Sequence, residues 1–499
     1  MDEELTLRVK NNVYLEFDCK DKGVLHELSE FFCFYVPNYK FVPSYRNKLW
    51  DGKIRLADLR NQTIYTGLYK YIVEFCKERN IIVVVEDDIN NYYDRPDILY
   101  NNDISWINLI PISSKGKKLS VRDYQEEAVA YALENRRGLL VSPTASGKSL
   151  IIYLLVRYFL KNNNDKILIV VPTTSLVKQM CGDFSDYSQF DETFDESNMC
   201  HKIMAGLSKD SNKRIYCSTW QSIYKMSSSY FQQFGMVIGD EAHNFKAKSL
   251  TSILTKCTEA KYRFGLTGTL DGAQIHSLVL QGLFGTIKNV TTSKILIDRG
   301  DLANISIDII LMKHPMGMCQ LVSKMKYQEE MDYLISYEPR NKFIKNLAID
   351  QEGNTLVLFN YVEKHGVPLY RMIKEDTHEK RKIFFVSGKT DADTREEIRA
   401  LTETQKNAIL VCSFGTFSTG INIKNLHNII FASPSKSQIR ILQSIGRGLR
   451  KSDRATKIFD IADDLSHRKH KNFTLKHSAE RIKIYARERF KFKIHEVQL

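Results

Sequence analysis

No apolar run in the 499-residue chain approaches the roughly eighteen residues that a membrane-spanning helix needs, and the acidic opening Met1-Asp2-Glu3-Glu4 is not that of a secretory leader. The nine cysteines contain no Cys-x-x-Cys pair. Their scatter points to a reducing compartment and to no structural zinc, short of ligands brought together by the fold. No unit repeats on the scale of about 20 to 50 residues, and no tract is of low complexity. With 43% hydrophobic and 11% aromatic residues the chain can bury sizeable cores, and its length suits about three domains.

Charge is present in excess. The net charge is +13, which favours a polyanionic partner. From Ser466 to Leu499 ten Lys/Arg face three Asp/Glu, so +7 of that excess lies in the tail. From Lys40 to Arg60 six basic residues face two acidic ones. Either patch reads equally well as a solvated surface.

The chain divides by pattern. Residues 1–100 read as a small α+β domain, with strand-like alternation over Leu5 to Phe17, helices at Val24 to Phe34 and Leu68 to Arg79, and a hairpin turning at Asp51-Gly52. There Trp50 is a core anchor, or else Lys48, Lys53 and Arg55 line a ribbon that touches a nucleic-acid backbone. Residues 101–119 read as a linker. Over 120–292 strands at 138–142, 166–171, 214–217, 235–239 and 261–266 alternate with helical patterns. The cycle restarts over 293–465, with strands at 304–312, 354–359, 382–386, 407–412 and 427–432 and helices near 326–350, 391–405 and 436–446. Such alternation implies two parallel α/β sheets with their sites at the carboxyl ends of the strands. Residues 466–499 form a basic C-terminal extension, helical over 478–489 and then briefly strand-like.

Two stretches carry the chemistry. Leu139 to Val141 reads as a buried strand, Ser142 to Ser149 (S-P-T-A-S-G-K-S) as a turn, and Leu150 to Leu160 as the following helix. A strand, a small-residue turn and a helix opening on Gly-Lys-Ser make a phosphate-binding loop. Backbone N–H groups of Thr144, Ala145, Ser146 and Gly147 would wrap the β-phosphate of ATP, Lys148 would reach its β/γ oxygens, and Ser149 would hold Mg²⁺. About ninety residues on, Met236 to Gly239 delivers Asp240-Glu241-Ala242-His243 at the end of an apolar strand. Asp240 is suited to hold Mg²⁺ through its water shell, Glu241 to orient and deprotonate the attacking water, and His243 to link the nucleotide to whatever moves.

In this order the motifs resemble those of the superfamily 2 helicases and translocases, and the resemblance implies two tandem RecA-like domains. It makes Arg122-Asp123-Tyr124-Gln125 the adenine-reading segment, with Gln125 pairing the base edge and Arg122 or Tyr124 stacking. It puts Thr173 and Thr174, Ser218 and Thr219, Ser387 and Gly388, and Ser413 and Thr416 on the nucleic acid, beside Lys53 and Arg55 of the ribbon. Thr267-Gly268-Thr269, with Gly420 and Asn422, would couple hydrolysis to strand contact. Gln443, Arg447 and Arg450 match the sixth motif, whose arginines reach the γ-phosphate from the facing domain. Three positions depart from the pattern. Ser142 and Ala145 stand where the loop is usually richer in glycine, Asn422 where many relatives carry Asp, and Gln443 where the D-E-A-D branch has His.

Along its whole length, through L-W-D-G-K-I-R-L, F-S-T-G-I-N-I-K-N-L-H and L-K-H-S-A-E-R-I-K-I-Y-A, the chain is similar to the recombination helicases of phages. That likeness implies branch migration, fork regression and R-loop unwinding by a monomer. Its partners would be branched or duplex DNA and RNA–DNA hybrids, with single-strand-binding or recombination proteins alongside, in the host cytoplasm and away from membranes. An RNA helicase, a duplex translocase subunit of a restriction or repair assembly, and a basic annealing protein with a regulatory ATPase remain open alternatives.

Overall fold

The structure, a computed structural model, describes residues 3–36, 39–86, 104–270, 274–302, 304–377, 381–420, 423, 425–434, 445–446 and 455–499. The chain forms two compact units, residues 1–142 with 147–290 and residues 143–146 with 291–499.

Strands such as Lys166–Val171 and Phe234–Asp240 are apolar almost throughout and buried, as strands of a parallel sheet covered on both faces must be. They belong to the seven-stranded parallel sheet of the first unit, in the order Cys200–Ile203, Ile215–Thr219, Lys166–Val171, Phe234–Asp240, Tyr262–Thr267, Arg137–Val141, Ile287–Asn289. Both outer strands escape the sequence patterns, being only four and three residues long. The helix Lys148–Asn162 is buried on nearly every side, which explains its run of apolar residues from Leu150 to Val156.

The N-terminal residues add a five-stranded sheet in the order Ala57–Asp58, Thr63–Tyr65, Tyr14–Cys19, Glu4–Val9, Ile82–Val85, with helices Lys22–Phe31 and Tyr69–Glu78. The alternation over Leu5 to Phe17 is two antiparallel strands rather than one. This sheet shares a continuous core with the large one, from Leu5 and Phe75 through to Leu139 and Phe284. Polar contacts also join them. Tyr71 Oη donates to Gln281 Oε1 at 3.0 Å and Asn12 Nδ2 to the Thr258 carbonyl at 2.8 Å. At Gly67 a Cβ would stand 2.0 Å from the Gln281 carbonyl oxygen, so only glycine permits this approach.

The hairpin expected at Asp51-Gly52 does not form, because no strand immediately precedes Asp51. Lys53–Arg55 pairs instead with Cys33–Tyr35, in the register Cys33 to Arg55 and Tyr35 to Lys53. Leu49 and Trp50 stay outside the ladder because Trp50 Nε1 donates to the Lys53 carbonyl, and Asp51 Oδ1 accepts from Lys53 N, closing the turn locally. Of the residues read as linker, 104–119 hold a 3-10 turn, Ser105–Leu109, and a two-stranded ribbon. The ribbon is fastened through Ser113, Ser114 and Lys115 to Asp186, so this stretch is packed rather than free.

The second unit has a seven-stranded parallel sheet ordered Ile383–Val386, Ile409–Ser413, Thr355–Phe359, Asn428–Phe431, Thr456–Asp464, Ile305–Lys313, Phe492–Gln498. The helical stretch expected over 326–350 is two helices, Tyr327–Ser336 and Glu338–Asp350, because Pro339 opens the second and removes a donor from the ladder. The C-terminal extension is part of this unit. Its helix Phe473–Arg487 is capped by buried Glu330, whose oxygens accept from Phe473 N and Thr474 N, each at 2.8 Å. Arg481, from the basic run, is buried and bonded to Asp460, and the last strand extends the sheet.

His365 is buried between Ser433 Oγ at 3.0 Å and Asn341 Oδ1 at 3.2 Å. Burial, then the nearby Arg340 charge, pushes its imidazole down to about 3. Unfolding exposes it to an ordinary value near 6.5, so the unfolded chain binds the extra proton and stability falls as pH drops from about 6.5 toward 3. Between pH 6.5 and 5 the expected loss is about 2 kcal/mol. Urea midpoints of the parent and of His365→Gln across that range check it, the variant showing the shallower pH dependence.

Candidate functional site

Sheet order brings the two chemical stretches together. The strand ending in the phosphate loop pairs with Tyr262–Thr267, Val141 opposite Thr267, and that strand pairs with Phe234–Asp240, Leu266 opposite Asp240. Three loops therefore open side by side at one end of one sheet, within about two strand spacings, or roughly 10 Å.

Ser142 N donates to the Thr267 carbonyl at 2.8 Å, tying the start of the loop to the neighbouring motif. The turn then runs through Pro143 and Thr144 and passes through left-handed backbone at Ala145 (φ 66°) and Gly147 (φ 85°). Ser146 Oγ closes it by donating to the Pro143 carbonyl at 2.6 Å. A Cβ on Gly147 would come within 2.3 Å of Gln125 Nε2, so the glycine lets Gln125 lie directly on the loop. Gln125 is buried, its Oε1 accepting from Arg122 N at 3.0 Å. Tyr124 is buried too, and its hydroxyl accepts from Arg122 Nη1 at 2.7 Å, which leaves Arg122 the better placed of the two for stacking. Gly147 caps the helix that Lys148 opens, and the first turn of a helix presents N–H groups suited to an anion. Lys148 Nζ donates to the Ser142 carbonyl at 3.2 Å, and Ser149 Oγ lies 2.8 Å from Tyr187 Oη.

Asp240 and Glu241 stand in succession, Asp240 Oδ1 accepting from Glu241 N at 2.9 Å. Glu241 holds φ 51°, a conformation that costs a non-glycine residue on the order of 1 kcal/mol or more. Its Oε2 is buried without a hydrogen bond, 3.4 Å from His243 Nδ1. Burial, and next the Glu241 charge, push the Asp240 carboxyl up to about 7 against the opposing pull of Lys148. A buried Asp240 carboxyl followed by the half-buried Glu241 carboxylate, at the end of the sheet that also carries Ser149, is a donor set that fits a hard divalent cation such as Mg²⁺. His243 Nδ1 lies 2.9 Å from Thr267 Oγ1, and that hydroxyl donates to the Thr269 carbonyl at 3.0 Å. Because the hydroxyl proton is committed to Thr269, Nδ1 carries the proton of the first bond. The carboxylate motif and the Thr267-Gly268-Thr269 motif are thus joined by one hydrogen-bonded chain.

The nucleic-acid set is less uniform. Thr174 and Gly388 are exposed, and Thr173 Oγ1 caps its own helix by accepting from Leu176 N at 3.3 Å. Ser387, Ser218, Thr219, Ser413 and Thr416 are buried. Ser218 Oγ donates to the Thr219 carbonyl, Thr219 Oγ1 meets Ser222 Oγ, and Ser413 Oγ meets Thr416 Oγ1. These hydroxyls bond within their own loops. Lys53 and Arg55 reach solvent paired to Glu30 and Asp51. Beside them stand Tyr35, Phe41 and Leu49, strongly exposed apolar side chains that the charge pattern did not flag. Gly420 closes the helix Phe414–Gly420. Asn422, Gln443, Arg447 and Arg450 lie outside the described residues.

No helix among the described residues is long and apolar enough to cross a membrane. Three family models match the chain. They are "Type III restriction enzyme, res subunit" over residues 118–272, "Helicase conserved C-terminal domain" over 339–452 and "DNA helicase UvsW, N-terminal" over 4–86. The ATP-dependent DNA helicase uvsW of Enterobacteria phage T4 is 36% identical over 97% of this chain and 98% of its own length. The crystal structure of T4 UvsW aligns over the whole of both chains, at 34% identity and a TM-score of 0.53. Yeast Dbp5 bound to RNA and ADP BeF3 matches over 77% of this chain and 91% of its own, at 13% identity and a TM-score of 0.53, a likeness of fold alone. With a relative this similar from end to end, and helicase models over both motor regions, the chain belongs to the UvsW family of superfamily 2 helicases.

Proposed function

We propose that the chain hydrolyses ATP to drive branched DNA through strand exchange, in branch migration, fork regression and R-loop unwinding. The observation that carries the motor is the hydrogen-bonded chain from His243 through Thr267 to Thr269, beside a phosphate loop and an unbonded Glu241 oxygen. Lys148 and the N–H groups of the turn bind the triphosphate, and Gln125, lying on the loop, reads the adenine edge. Glu241 accepts the proton of the attacking water, its Oε2 standing 3.4 Å from His243 Nδ1. Mg²⁺, held by Ser149 and Asp240, would supply positive charge to the phosphate oxygens as the bond breaks. Loss of the γ-phosphate alters what Glu241 and His243 bond, and Thr267 passes that change to the loop after its strand. Arg447 and Arg450 complete the site as arginine fingers in this reading.

Nucleic acid is gripped at phosphates by the loops around Thr173, Ser218, Ser387 and Ser413, so binding is salt-sensitive and nearly independent of sequence. The protein acts as a monomer in the host cytoplasm, on DNA and RNA–DNA hybrids, with single-strand-binding or recombination proteins alongside. One observation favours a second reading. Residues 118–272 match the motor of a restriction subunit, which suits a duplex translocase that displaces no strand.

Steady-state hydrolysis without polymer and with single-stranded DNA, linear duplex, a four-way junction or structured RNA separates these. Greatest stimulation by the junction supports strand exchange. Stimulation by RNA alone overturns it, and duplex-driven hydrolysis without displaced strand selects the second reading. Coupling has its own test. His243→Ala and Thr267→Ala are each expected to keep basal hydrolysis within about twofold while losing about 1 to 3 kcal/mol of nucleic-acid stimulation, or roughly 5- to 150-fold. Equal loss with and without DNA would place these residues in hydrolysis itself.

A further inference from the structure

Three thiols and a carboxylate converge at the edge of the first sheet, away from the motifs of the ATP site. Cys181 lies on the buried side of helix Thr174–Tyr187, beside Val177 and Phe184. Cys200 opens the edge strand Cys200–Ile203, and Glu196, one turn earlier, begins the short helix Glu196–Met199. Cys217 is central in the adjoining strand, opposite Lys202. All three cysteines are buried and free. The Sγ atoms of Cys181 and Cys200 and a Glu196 carboxylate oxygen lie within 4.8 Å of one another. Cys217 stands outside that group of three, its thiol within hydrogen-bonding reach of Cys181.

We propose that Cys181, Cys200 and Glu196, completed by Cys217, form a structural site for a thiophilic divalent cation, with Zn²⁺ as its natural occupant. Apolar packing accounts for a buried thiol, but not for a carboxylate drawn in beside two of them at a cost in desolvation. Ligand atoms around tetrahedral zinc, with Zn–S about 2.3 Å and Zn–O about 2.0 to 2.2 Å, stand roughly 3.5 to 3.8 Å apart, inside the spread of this group. Sulfur ligands select zinc over magnesium, so this site and the ATP site do not compete for one ion. Three thiolates and a carboxylate overcompensate a divalent charge, and Lys202 answers this, with Nζ 3.2 Å from Glu196 Oε1. That oxygen is buried without a hydrogen bond of good geometry, and Lys202 is exposed enough to swing toward water when the carboxylate turns to a metal.

The site would clamp two elements that also carry the loops proposed to hold nucleic acid. Cys181 is on the helix that Thr173 caps, and Cys217 immediately precedes Ser218 and Thr219. Metal at this point would stiffen that face by joining the helix to the edge strand and its neighbour. The ion-binding claim itself is independent of the helicase reading.

The full chain, expressed with zinc and dialysed against metal-free buffer, is expected to carry about one zinc per molecule by elemental mass spectrometry. With Co²⁺ in its place the anaerobic protein should show thiolate-to-cobalt charge transfer and the d–d bands of a tetrahedral site. Glu196→Gln should keep the charge-transfer band and weaken affinity by about tenfold or more, while Cys181→Ser with Cys200→Ser abolishes the band. Should that double variant fail to fold, the cobalt spectrum of the parent still decides. Zinc below about a tenth of an equivalent, together with no cobalt bands, overturns the proposal. So does a Cys181–Cys200 disulfide in the protein as isolated, which would make these thiols a redox pair instead.

Discussion

Glu241→Gln protein is expected to hydrolyse ATP about a hundredfold to ten-thousandfold more slowly than the parent, with nucleotide and DNA affinity largely kept. In barrier height this is about 3 to 5.5 kcal/mol. Glutamine is nearly isosteric and keeps one carbonyl oxygen, so the left-handed turn at Glu241 and the bond from its N–H to Asp240 survive. What disappears is the anionic oxygen that stands buried without a hydrogen bond near His243. Lys148→Ala is the instructive contrast. It removes the cation that opposes the charge of Asp240 and that reaches the phosphates, so it should lose nucleotide affinity together with turnover while DNA binding persists. Fluorescent-nucleotide binding and steady-state hydrolysis on the two variants separate the roles. Glu241→Gln turnover within about tenfold of the parent would remove Glu241 from the role of base.

The parts of this site that could be read in the sequence are those whose chemistry is local. A phosphate loop needs consecutive small residues and a lysine, and a strand buried on both faces is an apolar run, so Ser142 to Ser149 and Met236 to His243 identify themselves. Partnerships across the fold leave no such mark. The strand Thr456–Asp464 lacks a legible pattern because Asp460, Asp463 and Asp464 interrupt its apolar run. Asp460 and Asp463 are buried all the same, since Arg481 and Arg340 arrive from distant helices to meet them. The charge of the basic tail overstates its surface for the same reason. Its Arg481 contributes to net charge but lies inside the protein. Hydroxyl motifs were legible as motifs and not as contacts, because only the fold shows Ser413 turned to Thr416. The thiol cluster draws ligands from two helices and two strands between Cys181 and Cys217, and no spacing rule covers it.

The buried acid at Asp463 gives the second large effect, this time on stability. Asp463→Ala is expected to destabilise the second unit by about 3 to 5 kcal/mol. Asp463 Oδ1 accepts from Arg340 Nε at 2.9 Å and His314 Nε2 at 3.1 Å, all three side chains fully buried. Burial alone would raise this carboxyl, yet the Arg340 charge and the bonds from His314 and Arg340 hold it at about 2. An ionised Asp463 thus favours folding above its unfolded value of 3.8, and that contribution is lost as pH falls from there through about 2. Deleting the acid leaves a guanidinium with no counter-charge in a place water does not reach. The pair itself need not be a large net stabiliser, because desolvation of both ions offsets their attraction. Arg340→Met with Asp463→Leu should therefore recover most of what Asp463→Ala loses. The three tryptophans, Trp50, Trp106 and Trp220, all belong to the first unit, so their fluorescence follows that unit while far-UV circular dichroism follows both. In urea the alanine variant should lose part of its circular dichroism at lower concentration, ahead of the tryptophan transition. If instead its dichroism transition matches the parent's, Arg340 has found water or another acid, and the buried pair does not hold this unit together.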